Sequence, residues 1–253
     1  MEPVQSNNNA SGKPVIEINN LYKAFGDQKV LNGFSLELLE GENLVLMGKS
    51  GSGKSVMIKC LVGLMEPDNG TVKVLGKDIS KLKHIELDEL RTHIGFLFQG
   101  SALYDSMTVR ENLEFPLRRH TKNMTNRDRE TRVREALENV GLPKTMDLMP
   151  AELSGGMQRR IALARALILK PRIIIYDEPT TGLDPITAKE IILLMMNIQK
   201  MYRTSSLIIT HDVDCARVIS NRMILLLDGI NYAQGTFKEL STSTDPKIQA
   251  FFK

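Results

Sequence analysis

Tryptophan is missing from these 253 residues, and cysteine occurs only at Cys60 and Cys215. The two thiols stand far apart, with no metal-ligand spacing around either. That excludes a disulfide framework and a cysteine zinc site, and reads as two reduced core residues in a reducing compartment. Long apolar runs are also lacking. The longest, "IILLMM" at 191–196, falls far short of the roughly 20 residues a membrane span needs. The opening stretch "MEPVQSNNNASGKP" has no apolar core of the kind a secretion leader carries, so it predicts a flexible polar lead-in over 1–14. Nor does one sign of charge dominate. Thirty-three basic against 30 acidic residues leave +3, too little for the basic face of a nucleic-acid binder and compatible with a weakly anionic membrane surface. These absences predict a protein that stays inside the cell, binds no nucleic acid and reaches any membrane through a partner.

What is present is a pattern. "VIEINNL", "NLVLM", "TVKVL", "IGFLF", "RIIIYDEP", "SLIITHD" and "MILLLDG" read as short strands. Helical patterns lie between them, including "SVMIKCLVGL" and "PITAKEIILLMMNIQKMY". Apolar runs that end in acidic, Thr or His residues, each followed by a helix, mark a mostly parallel sheet with ligands at its carboxyl edge. From 107 to 170 the character changes to helices around "TVRENLEFPL" and "RDRETRVREALENV". The fold expectation is an α/β core with a helical lobe inserted at about 100–165. Residues 118–134 carry seven basic and two acidic side chains. They read as a solvated helix face with i,i+4 pairs Asp128–Arg132 and Glu130–Arg134.

Chemistry concentrates in four places. "GKSGSGKS" at 48–55 matches a phosphate-binding loop at Gly48, Gly53, Lys54 and Ser55, and it stands between a strand and a helix as such a loop must. Its glycines let backbone N–H groups curl around phosphates, Lys54 reaches the β/γ oxygens, and the Ser55 hydroxyl suits Mg²⁺. "RIIIYDEP" delivers Asp177 for the Mg²⁺ shell and Glu178 to polarise an attacking water. His211, at the end of "SLIITHD", and Gln99, at the end of "IGFLFQ", arrive at the same kind of sheet edge; His84, His93 and His120 have no such placement. "LSGGMQRRIALARAL" at 153–167 is a helix whose start, Ser154, Gly155 and Gly156, is stripped of side chains and attracts an anion. A chain that already has one phosphate cradle needs this second one only for another copy's nucleotide, in an isologous pair.

In family order these segments are Walker A "GKSGSGKS", Q-loop Gln99, signature "LSGGM", Walker B "IIIYDE", D-loop "GLDP" at 182–185 and switch His211. From about 15 to 240 the chain resembles the ATP-binding subunits of ABC transporters. The resemblance implies an α/β P-loop NTPase fold of ABC type, with an N-terminal antiparallel β element and an inserted helical subdomain. The core would be 15–99 and 166–240, with a short C-terminal helix at 245–253. It implies ATP held by Gly48, Lys49, Ser50, Gly51, Ser52, Gly53, Lys54, Ser55 and Val56, Phe25 stacking on adenine with Tyr22 as second candidate, and Mg²⁺ on Ser55, Gln99 and Asp177. Glu178, His211 and Gln99 would serve hydrolysis, and Ser154, Gly155, Gly156 and Asp184 would face the opposite subunit of a homodimer. Lys49 stands where the family often has Pro, Val56 where Thr is common, and Met157 where the signature usually has Gln. Neither of the first two removes a phosphate or metal ligand; the third drops one polar contact near the partner's nucleotide but keeps Ser154 and both glycines.

"LFQGSALYDSMTVRENLEFPLRRHT" (97–121), "DLMPAELSGGMQRR" (147–160), "GLDPITAKEI" (182–191) and "TDPKIQAFFK" are similar to the MlaF family. That narrower resemblance implies phospholipid trafficking between inner and outer membranes, through an MlaE-like permease docked near Gln99–Tyr104 and, through it, a periplasmic MCE protein. The chain would then be peripheral on the cytoplasmic face of the inner membrane. The alternatives are the ATPase of an amino-acid importer or lipoprotein-release system, or a soluble ABC-type assembly scaffold.

Overall fold

A computed structural model describes residues 12–121 and 123–252. The expected lead-in lies outside them up to residue 11, as do Lys122 of the basic stretch and Lys253 at the end of the expected C-terminal helix. In chain order the described residues form β1 (Pro14–Phe25), β2 (Gln28–Leu39), β3 (Asn43–Gly48), α1 (Lys54–Leu61), β4 (Asn69–Val74), β5 (Lys77–Asp78), α2 (His84–Thr92) and β6 (Ile94–Leu97). Next come α3 (Val109–His120), α4 (Asn126–Asn139), α5 (Gly155–Leu167), β7 (Ile173–Asp177) and α6 (Pro185–Tyr202). The last are β8 (Ser205–Ile209), α7 (Val213–Ile219), β9 (Arg222–Leu227), β10 (Ile230–Gly235), α8 (Phe237–Ser241) and α9 (Pro246–Gln249). They gather into two compact units: the described residues up to Arg91 together with those from Thr204 on, and Thr92–Arg203.

In the first unit β3 is buried along its whole length, because parallel strands flank it on both sides, β8 and β9. A strand covered on both faces needs an unbroken apolar run, and "NLVLM" supplies one. Leu46 lies opposite Ile209, and Gly48 opposite Leu226. The chain segments that follow β3 and β8 therefore leave from one sheet edge. β10 closes the set antiparallel to β9. A second sheet, ordered β2-β1-β4-β5 and antiparallel throughout, buries Ile16, Ile18, Leu21, Leu31 and Phe34. Arg222 and Glu42, both nearly buried, pair at 2.8 Å.

In the second unit β6 and β7 run parallel, with Leu97 opposite Tyr176, so the turns after them also share an edge. The unit boundary differs from the expected 100–165 insert and takes in β6, β7 and α6. One reason is close packing: a Cβ on Gly95 of β6 would stand 2.6 Å from the Ala166 carbonyl of α5. Helices α3, α4 and α5 share a core that includes Leu113, Leu117, Val133, Leu137, Ile161 and Ile168. Reciprocal caps start two of them: Thr108 with Glu111 on α3, and Thr125 with Asp128 on α4. The second cap corrects the expected charge pairing. Asp128 accepts from Thr125 rather than pairing with Arg132, whereas Glu130 does pair with Arg134, at 2.7 Å.

Candidate functional site

The phosphate loop leaves β3 at Gly48 and enters α1 at Lys54, with Gly53 at the N-cap in a left-handed conformation, φ 104°. Side chains are kept out by contact as well as by torsion. A Cβ on Gly48 would stand 2.5 Å from Ser52 Oγ, and one on Gly53 3.0 Å from the Val30 carbonyl. No side chain caps α1, and its first turn holds no acidic residue, so its amide groups meet an anion without competition. Lys54 Nζ donates to the carbonyls of Gly48 (2.6 Å) and Lys49 (3.0 Å). Ser52 Oγ is buried without a hydrogen-bond partner. An orphaned hydroxyl, a cationic head and bare amides around a space closed to side chains fit a polyphosphate.

Phe25 ends β1 and is 49% exposed, its ring 5.8 Å from Lys23 Nζ, and Lys23 is itself anchored on Asp68 at 2.6 Å. Tyr22, the second adenine candidate, lies with its hydroxyl over Gly33, where a Cβ would approach to 2.9 Å. Phe25 is the more exposed of the two rings, Tyr22 being 39% exposed. His211 lies two residues past the end of β8 and is exposed. It stands between buried Thr210, whose N–H donates to Leu46, and Asp212, which caps α7. The phosphate loop and His211 thus leave adjacent parallel strands at one edge.

The second unit brings together Gln99, Asp177 and Glu178. Gln99 sits exposed in the turn after β6, and that turn continues through Ser101 and Ala102 in left-handed conformations (φ 61° and 50°). Asp177 ends β7. Glu178 follows, 9% exposed and at φ 50°, and its carboxylate accepts from Thr181 Oγ1 at 3.1 Å. Left-handed backbone at a glutamate costs about 1–3 kcal/mol and persists only where the surroundings enforce it. Among the described residues no group of three or more His, Cys, Asp or Glu is arranged to hold a metal. Ser55, Gln99 and Asp177 each offer an oxygen donor, the ligand type a hard divalent cation takes.

Ser154 caps α5 through the Met157 N–H, and Gly155 after it is exposed with open space around it. Gly156 has a second duty: a Cβ there would meet Thr187 Cγ2 at 2.6 Å, so its bareness also lets α5 approach α6. Asp184 caps α6 by accepting from the N–H groups of Ile186 and Thr187. Hydrogen bonds from Thr187 hold its carboxyl below the usual carboxylate range.

Sequence reasoning missed Arg159, Arg165, Asn112 and Thr181. Asn112, fully buried, ties the Tyr104 amide and carbonyl to the start of α3. Arg165 donates to the Ser101 carbonyl and lies 5.7 Å from the Tyr104 ring centre. Arg159 left a readable signal: a cation at i−3 and i−4 from Ala162 and Leu163 sits on an apolar helix face.

A family model described as "ABC transporter" matches residues 31–181. The chain is 41% identical over 236 residues to the probable ribonucleotide transport ATP-binding protein mkl of Mycobacterium leprae, covering 93% of this chain and 68% of that one. It is 40% identical to the methionine import ATP-binding protein MetN of Clostridium tetani, covering 89% and 70%. Identity is 37% to the intermembrane phospholipid transport system ATP-binding protein MlaF of Haemophilus influenzae, covering 94% and 90%. Among solved structures it resembles the dimeric post-hydrolysis state of the ATP-binding cassette MJ0796 bound to ADP and Pi. The TM-score there is 0.79 and identity 33%, over 88% of this chain and 98% of that one. Among the described residues no helix is long and apolar enough to cross a membrane. The model match, the shared P-loop architecture and these relatives agree: the chain belongs to the ABC transporter ATP-binding family, and it is an ATP-binding subunit and an ATPase.

Proposed function

We propose that the chain works as a homodimer around two Mg·ATP and powers a membrane permease that moves phospholipid, from the cytoplasmic face of the membrane. The observation that carries the dimer is the start of α5: Ser154 and Gly155, exposed and open, with no acidic residue in the first turn, in a chain that already has a complete phosphate cradle. Such a helix end favours a phosphate supplied from outside the chain. Similarity to MlaF over 90% of that protein's length supports the cargo and, with it, an MlaE-like permease meeting the Gln99–Tyr104 region and an MCE protein beyond it.

In this reading the loop amides and Lys54 bind the β/γ-phosphates, and Phe25 stacks on the adenine. Ser55, Gln99 and Asp177 would hold Mg²⁺, which would neutralise phosphate charge. Glu178 takes the proton of the attacking water, His211 contacts the γ-phosphate, and Ser154, Gly155 and Asp184 act on the other copy's nucleotide. ATP drives closure only because the closed pair binds it more tightly than the open one.

The deciding test is Glu178→Gln. General-base assistance is worth about 10²–10⁴-fold, so kcat should fall by that factor while ATP binding by calorimetry stays intact. Light scattering with saturating ATP should then show a dimer; a monomer would reject the shared-site arrangement. The MetN relative favours one second reading, an amino-acid importer. Purification of the chain with its permease from native membranes separates the two by whether lipid or amino acid accompanies the complex.

A further inference from the structure

We propose that Arg159 is a positioning residue that ties the turn carrying Gln99 to the turn carrying Glu178. Arg159 lies on α5, one turn into the helix whose start carries Ser154 and Gly155, and it is 4% exposed. Its Nη1 donates to the Phe98 carbonyl at 2.8 Å, the residue just before Gln99. Its Nη2 donates to the Thr181 carbonyl at 3.2 Å. Thr181 in turn holds Glu178 twice: its hydroxyl donates to Oε2 at 3.1 Å and its N–H to the Glu178 carbonyl at 3.3 Å. One planar fork therefore spans both turns, and the far end of the chain of bonds is the carboxylate itself.

The guanidinium holds this place against an energetic penalty. Its Nε is buried with no hydrogen-bond partner, and among the described residues no carboxylate pairs with it. Burying a cation without a counter-charge opposes folding, and an apolar side chain would fill the same helix face more cheaply. What an apolar residue could not do is link two carbonyls on separate turns, and a lysine's point-like head could serve them only without the fork. The Gln99 turn contains two left-handed non-glycine residues and Glu178 is a third. Such backbone stays put only when surrounding bonds over-determine it. Arg165, further along the same helix, holds the Gln99 turn at the Ser101 carbonyl. A shift of the Gln99 turn is thus passed to Glu178 through α5 rather than absorbed.

The inference rests on Glu178 as the base, so the experiment includes Glu178→Gln as a separate arm. ATPase kinetics are compared for Arg159→Met, Arg159→Lys, Thr181→Ala, Thr181→Ser and the Arg159→Met/Thr181→Ala double variant. Arg159→Met is expected to lower kcat by about tenfold with KM for ATP little changed, since an orientation made in the transition state is lost rather than ground-state binding. Removing the Thr181 hydroxyl cuts the bond to the carboxylate itself and leaves only the backbone bond, so in the Thr181→Ala background the same change should cost less than about threefold. Thr181→Ser, which keeps the hydroxyl, should recover most of what Thr181→Ala loses. Equal fold losses in both backgrounds, a wild-type kcat for Arg159→Met, or a Thr181→Ser as impaired as Thr181→Ala would overturn the proposal. Should Arg159→Met fail to fold, Arg159→Lys in the two Thr181 backgrounds decides by the same criterion. A Glu178→Gln variant with wild-type kcat would instead overturn the assignment of the base.

Discussion

A methyl group added to Gly156 would meet Thr187, whereas one added to its neighbour Gly155 would meet nothing within 4 Å. Packing accounts for the first glycine and leaves the second without a reason inside the chain. Alanine is the better helix former by up to about 1 kcal/mol, so Gly155→Ala should raise the urea midpoint while lowering ATPase activity. Gly156→Ala should lower both. Tyr176 poses the converse case, a fully buried hydroxyl without a hydrogen-bond partner. Burial pushes its pKa up, and an unmet hydroxyl costs about 1–3 kcal/mol. Tyr176→Phe should therefore leave stability unchanged or raise it by about 1 kcal/mol, read as a higher Tm. Cys60 carries a pH dependence. Burial, the largest influence on it, pushes its thiol pKa up, so above the ordinary thiol range the unfolded chain loses that proton first. Stability then falls as pH rises, and Cys60→Ala should flatten that alkaline slope. Gln99, Asp177, Glu178 and His211 were legible in the sequence because each follows an apolar strand. Thr181 was not, since only the fold of its turn brings the hydroxyl to Glu178.

Elements were most legible where one period ran without conflict. "PITAKEIILLMMNIQKMY" is α6 from end to end, with Asp184 as cap and Pro185 in the first turn. β2 was foreseen only through the resemblance, as part of the N-terminal antiparallel element, and not from its own pattern. Gly33 lies inside it at φ 88°, beneath the Tyr22 hydroxyl, where the ladder to β1 shifts register and the alternation of a strand is broken. On α4 Asp128 stands three residues after Thr125 and four before Arg132, so it could cap or pair, and it took the cap. Thr125→Ala should for that reason cost about 1 kcal/mol in urea denaturation.

For the molecule as a whole, nucleotide and fold are linked by mass action. ATP at a hundredfold excess over its Kd should stabilise the protein by about 2.7 kcal/mol, visible as a raised Tm. Lys54→Ala should abolish the shift and leave the apo protein folded. Family and chemistry were legible because six short motifs stand in order. The grouping of β6, β7 and α6 with the helices was not, because it depends on close approaches such as Gly95 to Ala166, which leave no periodic trace. Lys54 carries one more consequence. In the proposed role, where Lys54 grips the β/γ-phosphates, the Gly48 and Lys49 carbonyls within 2.6 and 3.0 Å would give its ammonium partners once a spent nucleotide leaves. Departure of product would then strand no bare charge on this side chain.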